Sequence, residues 1–376
     1  MREASKTIYV ATIIDSLNYG TVLQAAATNN LLSEYGKPLF VDYCRPDWKL
    51  SGWASIYMSN PSHGKVINLI RLVSNIPARI RSYYLFRTFI KHELNLCAVG
   101  PYLSPGSQFD KSAVYCVGSD QTWNLECNGG VIDPVYYLIN VPDDCTKIAL
   151  SASFGRTSLD NDEIAPTKAA LEGFKAISVR ESSGVSVLES IGINGGVSLK
   201  DPVLLCNAEY WVRLASVVPR AVEPHVLIYA LNKNPELVNY AIRLGKRKRI
   251  KVKMISFNPL KPSPKGTSRV CLPRPEKWVA QFRDAAYVVT DSFHGTCFSL
   301  MFETPMIVFD PPKYSVRLRD VLNDFGLSER RVSADNALGA DEIADKAVDW
   351  QRIQKLKNQF SQDAKRFLDK CFDRAD

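Results

Sequence analysis

Residues 290–310, TDSFHGTCFSLMFETPMIVFD, constrain the fold of this chain more than any other stretch. The apolar run Ala285 to Thr290 breaks at Asp291 and Ser292. Apolar residues then recur at helical spacing (Phe293, Cys297, Leu300, Met301), and Pro305 opens a second apolar run. That order predicts strand, turn, helix and strand. In such a unit His294 lies at a helix N-terminus and at the carboxyl end of a strand, where open α/β sheets place their ligands. Free amides and the positive end of the helix dipole suit an anion there, and a histidine beside it can donate a proton. The alternative is that His294 only caps its helix.

The rest of the chain repeats the α/β rhythm. Ile8 to Ile14 reads as a strand, SLNYGT as a turn, Val22 to Tyr35 as a helix stopped by Gly36, and Leu39 to Tyr43 as the next strand. The turn carries Asn18, Tyr19 and Gly20, which either face a cleft or simply make the turn. Further strands are expected at Ala113 to Val117, Ile148 to Ala152 and Ala176 to Val179. They deliver GSDQTWN (Gly118 to Asn124), Ser153 to Gly155, and Arg180 with Glu181 to one sheet edge. Arg180 has the geometry to grip a carboxylate or phosphate, or it pairs with Glu181.

A second βα series begins at His225 to Leu231, after a connection over about 206–221. At 376 residues the chain should form about two domains. The expected division is 1–206, 222–345 and a helical segment, 346–376, that crosses back onto the first domain. Arg317 and Arg319 begin a helix that Gly326 ends. Cations there oppose the dipole by a few tenths of a kcal/mol, so an anion nearby would explain one of them.

Between about 46 and 100 the α/β rhythm lapses. From Lys65 to Lys91 six cations and no acid are interleaved with aliphatic and aromatic residues, a pattern suited to anionic headgroups or to a helical pair packed on the protein. The net charge of +8 favours anionic partners generally. The basic run Arg243 to Lys253 straddles a helix end and a strand without a nucleic-acid motif, so nucleic acid is not expected as a partner. Nine cysteines are scattered singly, with no zinc spacing, which suggests a reduced cytoplasmic compartment and no metal. No window approaches the roughly 18 apolar residues of a membrane-spanning helix.

Taken together, NYGTVLQA (18–25), VGSDQTWN (117–124), SASFG (151–155), ISVRE (177–181), DPVLL (201–205), TDSFHGTCFSL (290–300) and the region 317–331 with FGLSER resemble, in order, the polysaccharide pyruvyl transferases. The resemblance spans nearly the whole chain. It implies an α/β fold of two Rossmann-like doubly wound domains facing across a cleft, in the GT-B manner. It implies a reaction in which phosphoenolpyruvate gives pyruvate to two hydroxyls of a hexose, as a cyclic ketal, without a metal or other cofactor. His294 becomes the expected general acid, with Arg180, Arg317, Arg319 and the helix start at Ser292, Gly295 and Thr296 on the donor. Many members carry an arginine directly before this histidine, where it contacts the donor. Here Phe293 stands in that place, which leaves the donor carboxylate to other cations, Arg180 and Arg317 first.

Asn18, Tyr19, Gln121, Trp123 and Asn124 have the chemistry of an acceptor site, since amides bond paired hydroxyls and an indole stacks on a pyranose. Asp120 could act as base for the attacking hydroxyl, or Asp120 and Asn124 could hold the loop's shape. A capsule, an exopolysaccharide or a lipid-linked oligosaccharide is the expected acceptor. The last would bring the protein to the inner face of the cytoplasmic membrane through Lys65 to Lys91. Two other functions are compatible with the same fold: a glycosyltransferase using a nucleotide sugar, and a non-catalytic subunit of a polysaccharide-assembly complex.

Overall fold

In the computed structural model the described residues are 6–45, 49, 54, 55, 58, 64–258, 262–312, 315–332 and 340–374. The first domain is built on β1 (Thr7–Ala11), β2 (Lys37–Val41), β3 (Leu96–Cys97), β4 (Val114–Val117), β5 (Thr146–Ala152), β6 (Ala176–Val179) and β7 (Val197–Ser198). They pair in the order β3-β2-β1-β4-β5-β6-β7. The second is built on β8 (His225–Tyr229), β9 (Lys251–Ser256), β10 (Ser268–Cys271), β11 (Tyr287–Thr290), β12 (Met306–Phe309) and β13 (Arg331–Val332), in the order β10-β9-β8-β11-β12-β13. Every pairing is parallel. Helices cover both faces of such sheets, so central strands bury every side chain: β4, β8 and β12 are buried throughout.

The strand order reverses between β1 and β4 in one sheet and between β8 and β11 in the other. Such switch points open crevices at the carboxyl ends of the strands, and here the two crevices face each other. The unit around His294 is strand β11, helix Phe293–Met301 and strand β12, with Val288 in register with Met306.

The domain interface is aromatic. Tyr19, at the start of the first helix (Tyr19–Leu32), stacks on Trp278 with ring centroids 5.3 Å apart, and its hydroxyl donates to Pro273 O at 2.5 Å. Trp278 meets Phe298 edge-on at 5.0 Å, and Phe298 meets Trp211 at 4.8 Å. One continuous core thus runs from the first sheet through the interface into the second domain. The helix Trp350–Cys371 ties both sides: Ser361 Oγ donates to Leu205 O at 3.2 Å, Tyr35 Oη donates to Asp369 Oδ1 at 2.9 Å, and Lys357 Nζ donates to Leu300 O at 3.4 Å.

Two local expectations change. Asn18-Tyr19-Gly20 is a helix start and not a free turn, because the Asn18 side chain accepts from Gly20 N and caps a helix that begins at Tyr19, three residues before Val22. The basic segment is one continuous helix, Lys65–Glu93, which accommodates Pro77 in its interior, in place of a helical pair.

Candidate active site

The facing strand ends enclose a cleft of about 430 Å³, lined by Asn18, Thr21, Asp120, Gln121, Asn232, Asp291, Ser292, Phe293, His294 and Arg317, among others. Asp120 follows β4 in a left-handed backbone conformation (φ 78°), sparsely populated by residues other than glycine. Its carboxylate accepts from Thr21 Oγ1 at 2.8 Å and from Gln121 N at 2.9 Å. Asp291 follows β11 and accepts from Leu231 N at 2.7 Å and from Asn232 N and Nδ2 at 3.0 Å, fixing the loop that leaves β8. Ser292 caps the next helix by accepting from Gly295 N at 3.2 Å.

His294 crosses the interface. Its ring lies on Gly20 of the opposite domain so closely that a Cβ there would be 2.0 Å from Nδ1. Only glycine permits that approach. Nε2 is buried, makes no hydrogen bond, and stands 3.6 Å from Asp201 Oδ2. Asp201, in the first domain just after β7, is itself 1 % exposed. Its Oδ1 accepts from Val203 N at 2.9 Å and its Oδ2 from Arg180 Nη1 at 2.8 Å. Burial opposes the Asp201 charge, but His294, Arg180 and the Val203 amide outweigh it and hold the carboxyl well below the usual carboxylate range.

Arg180, at the end of β6, is equally buried. Burial disfavours its charge, while Asp201, Glu181 and Asp120 hold the guanidinium above its ordinary value. Glu181 points its Oε1 at Ser153 Oγ (2.5 Å) and Gly155 N (3.1 Å), and its Oε2 lies 3.7 Å from Arg180 Nε without a hydrogen bond. Arg317 comes from helix Ser315–Asp324 of the other domain, and burial, then the charge of Arg180, push its guanidinium below the ordinary value. In one orientation of its amide, Gln121 accepts from Arg317 Nη2 at 2.6 Å. The Phe293 ring lies between the two arginines, its centroid 4.8 Å from Arg180 Cζ and 5.7 Å from Arg317 Cζ.

Four buried nitrogens around Phe293 have no hydrogen-bond partner: Arg180 Nε and Nη2, Arg317 Nε and His294 Nε2. Buried donors are almost always paired. Two of the four face carboxylates without bonding them, Arg180 Nε toward Glu181 and His294 Nε2 toward Asp201, and the cluster as a whole has the donors and charge to hold an anion.

Of the expected residues, Asn18, Asp120, Gln121, Ser292, His294 and Arg317 line the cleft, and Arg180 sits directly behind Phe293. Others are placed elsewhere. Tyr19 is fully buried in the domain interface, since the cap at Asn18 turns its ring into the aromatic stack. Trp123 is a core residue, donating Nε1–H to Tyr136 O at 2.9 Å and packing on Phe154, so it presents no face to a sugar. Asn124 is buried, with its amide against that of Gln121, and shapes the loop. Arg319, two residues beyond Arg317, faces solvent on another side of its helix. The amides of Gly295 and Thr296 already bond Ser292, and Gly295 instead allows the helix to pack on Thr290. Sequence reasoning assigned no role to Thr21, Asn232, Asp291 or Asp201. Asp201 stands in the sequence as the first residue of the DPVLL motif, but only the sheet order brings it to His294. Among the described residues no group of three or more His, Cys, Asp or Glu is arranged to hold a metal ion.

Two doubly wound parallel domains that share one cleft at their strand ends define a GT-B-like protein. UDP-GlcNAc 2-epimerase from Neisseria meningitidis, bound to UDP-GlcNAc, superposes with a TM-score of 0.54 over 98% of this chain and 100% of that one, at 10% identity. That level of identity speaks to the fold alone. UDP-N-acetylglucosamine 2-epimerase from Rickettsia bellii is also similar, with a TM-score of 0.49, 10% identity and coverage of 98% and 97%. No curated protein sequence matches the chain. The sequence itself matches the polysaccharide pyruvyl transferase family over residues 18–312, and the chain belongs to that family of transferases.

Proposed function

We propose that the protein transfers pyruvate from phosphoenolpyruvate to two hydroxyls of a hexose, in a bacterial surface polysaccharide or its lipid-linked precursor, releasing phosphate and leaving a cyclic ketal. The observation that carries this reading is the cluster of unpaired buried nitrogens on Arg180, Arg317 and His294 at a cleft also lined by Asp120. Phosphoenolpyruvate presents a phosphate and a carboxylate. Arg317 lines the cleft and takes the first contact, and Arg180 is reached when Phe293 rotates aside. Each charge-assisted hydrogen bond contributes about 1.5–3 kcal/mol.

His294, as the imidazolium, gives its proton to the methylene carbon, which becomes the ketal methyl group, and positive charge develops at C2. Asp201 steadies that imidazolium from the buried side. One sugar hydroxyl attacks C2 and its proton passes to the Asp120 carboxylate. The second hydroxyl then bonds C2 as the phosphate leaves with the electron pair of its C–O bond, and the second proton leaves with the phosphate. The steps are proton transfers, additions and a departure, so they call for no metal or redox cofactor. With a lipid-linked acceptor they would take place at the cytoplasmic face of the membrane.

Calorimetric titration of the purified protein tests the donor. Saturable binding of phosphoenolpyruvate is expected, weakened by about 10-fold to 100-fold in Arg317→Ala through the loss of one or two charged hydrogen bonds. Binding of a nucleotide sugar with no binding of phosphoenolpyruvate would contradict the proposal in favour of a glycosyltransferase. Binding of neither would favour a non-catalytic subunit.

A further inference from the structure

We infer that the helix Lys65–Glu93 docks the protein on an anionic lipid bilayer, with its outward apolar stripe in the headgroup region and the cleft beside it. The helix carries its apolar residues on the wrong side for packing. Val66, Ile70, Val73, Ile80 and Tyr84 recur at helical spacing on one face and are 48–70% exposed. The opposite face, turned to the protein, presents Asn68, Ala78 and Ser82 before it reaches Phe86 and Phe89. A helix that served only the core would be turned the other way.

Charge identifies what covers this face. No acidic residue occurs from Lys65 to Lys91, and Lys65, Arg71, Arg81 and Lys91 are exposed. Arg87 is committed elsewhere, to Asp42. Long cationic side chains flanking an aliphatic stripe with a tyrosine match an interfacial helix, whose stems lie along acyl chains while the charges reach phosphates. A second copy seated on the same stripe would set cations against cations, which is unfavourable.

The location adds a reason. Phe86 packs edge-on against Tyr19 at 4.8 Å, next to Asn18 of the cleft, and Asn75 Oδ1 accepts from Asn258 Nδ2 of the second domain at 2.8 Å. The helix therefore spans both domains at the side of the active cleft. A bilayer under it would bring a lipid-borne acceptor to that cleft, although the docking itself does not depend on which donor is used.

The test is co-sedimentation of the full chain with vesicles of phosphatidylcholine, with and without phosphatidylglycerol. Binding is expected only to the anionic vesicles. It should fall at least about 10-fold in Ile70→Ser/Val73→Ser/Tyr84→Ser and again in Arg71→Glu/Arg81→Glu, given the usual strength of surface apolar and polybasic contacts. Both variants should keep the wild-type far-ultraviolet circular dichroism and the wild-type response to phosphoenolpyruvate in solution. Wild-type protein that ignores anionic vesicles, or variants that bind them like wild type, would overturn the inference. A concentration-dependent dimer that the apolar variant abolishes, without vesicle binding, would overturn it too and assign the face to a second copy.

Discussion

Asp201 reaches His294 from the other domain with almost no exposure to water, and its second partner there is Arg180. Removing the charge in Asp201→Asn should therefore change behaviour with pH as well as activity. A carboxyl held below its unfolded value contributes stability that is fully present above the unfolded pKa of about 3.9 and is lost as the pH falls through the lower folded value. The wild type should accordingly lose stability on acidification below about pH 4, where Asp201→Asn, less stable at neutral pH, should lose less. Urea unfolding at a series of pH values measures both slopes, and parallel slopes would contradict the assigned ion pair. Little of this was legible in the sequence. Arg180 could be picked out at a strand end, but its burial among Asp201, Glu181 and Asp120 depends on three strands meeting. Tyr19 and Trp123 have the chemistry of sugar-binding residues near a cleft, and nothing local in the sequence says that both rings turn inward.

At the scale of elements, the βαβ unit around His294 could be read directly, because two apolar runs, a polar break and Pro305 leave one plausible order of strand, helix and strand. The first helix was harder. Asn18-Tyr19-Gly20 has turn composition, and the same residues serve as a cap when a helix follows. Gly20 is then more than part of that helix start, because the His294 ring of the opposite domain occupies the space a side chain would need. Gly20→Ala should lower turnover by about 100-fold, as a misplacement of roughly an ångström does. The far-ultraviolet circular dichroism should stay unchanged, since alanine suits a helix. A Gly20→Ala enzyme with wild-type turnover would show that His294 does not work from this position.

For the whole molecule, two parallel sheets and their shared aromatic core set the geometry in which charged groups from both domains meet at one cleft: His294 and Arg317 from the second, Asp120, Arg180 and Asp201 from the first. Two domains were expected from length and from the repeated α/β rhythm. Which way the long basic helix faces could not be read, because its periodicity is the same whether the apolar stripe packs inward or points outward. The structure points it outward. The central claim concerns the reaction, and the most direct measurement is release of inorganic phosphate from phosphoenolpyruvate with a panel of hexosides, paired with mass spectrometry of the sugar product. The account predicts phosphate release that requires an acceptor, a product heavier by one pyruvate ketal, and a loss of about 100-fold to 10,000-fold in His294→Ala, the range for removal of a general acid. Acceptor-dependent phosphate release that His294→Ala leaves intact, or a product without the ketal, would contradict it.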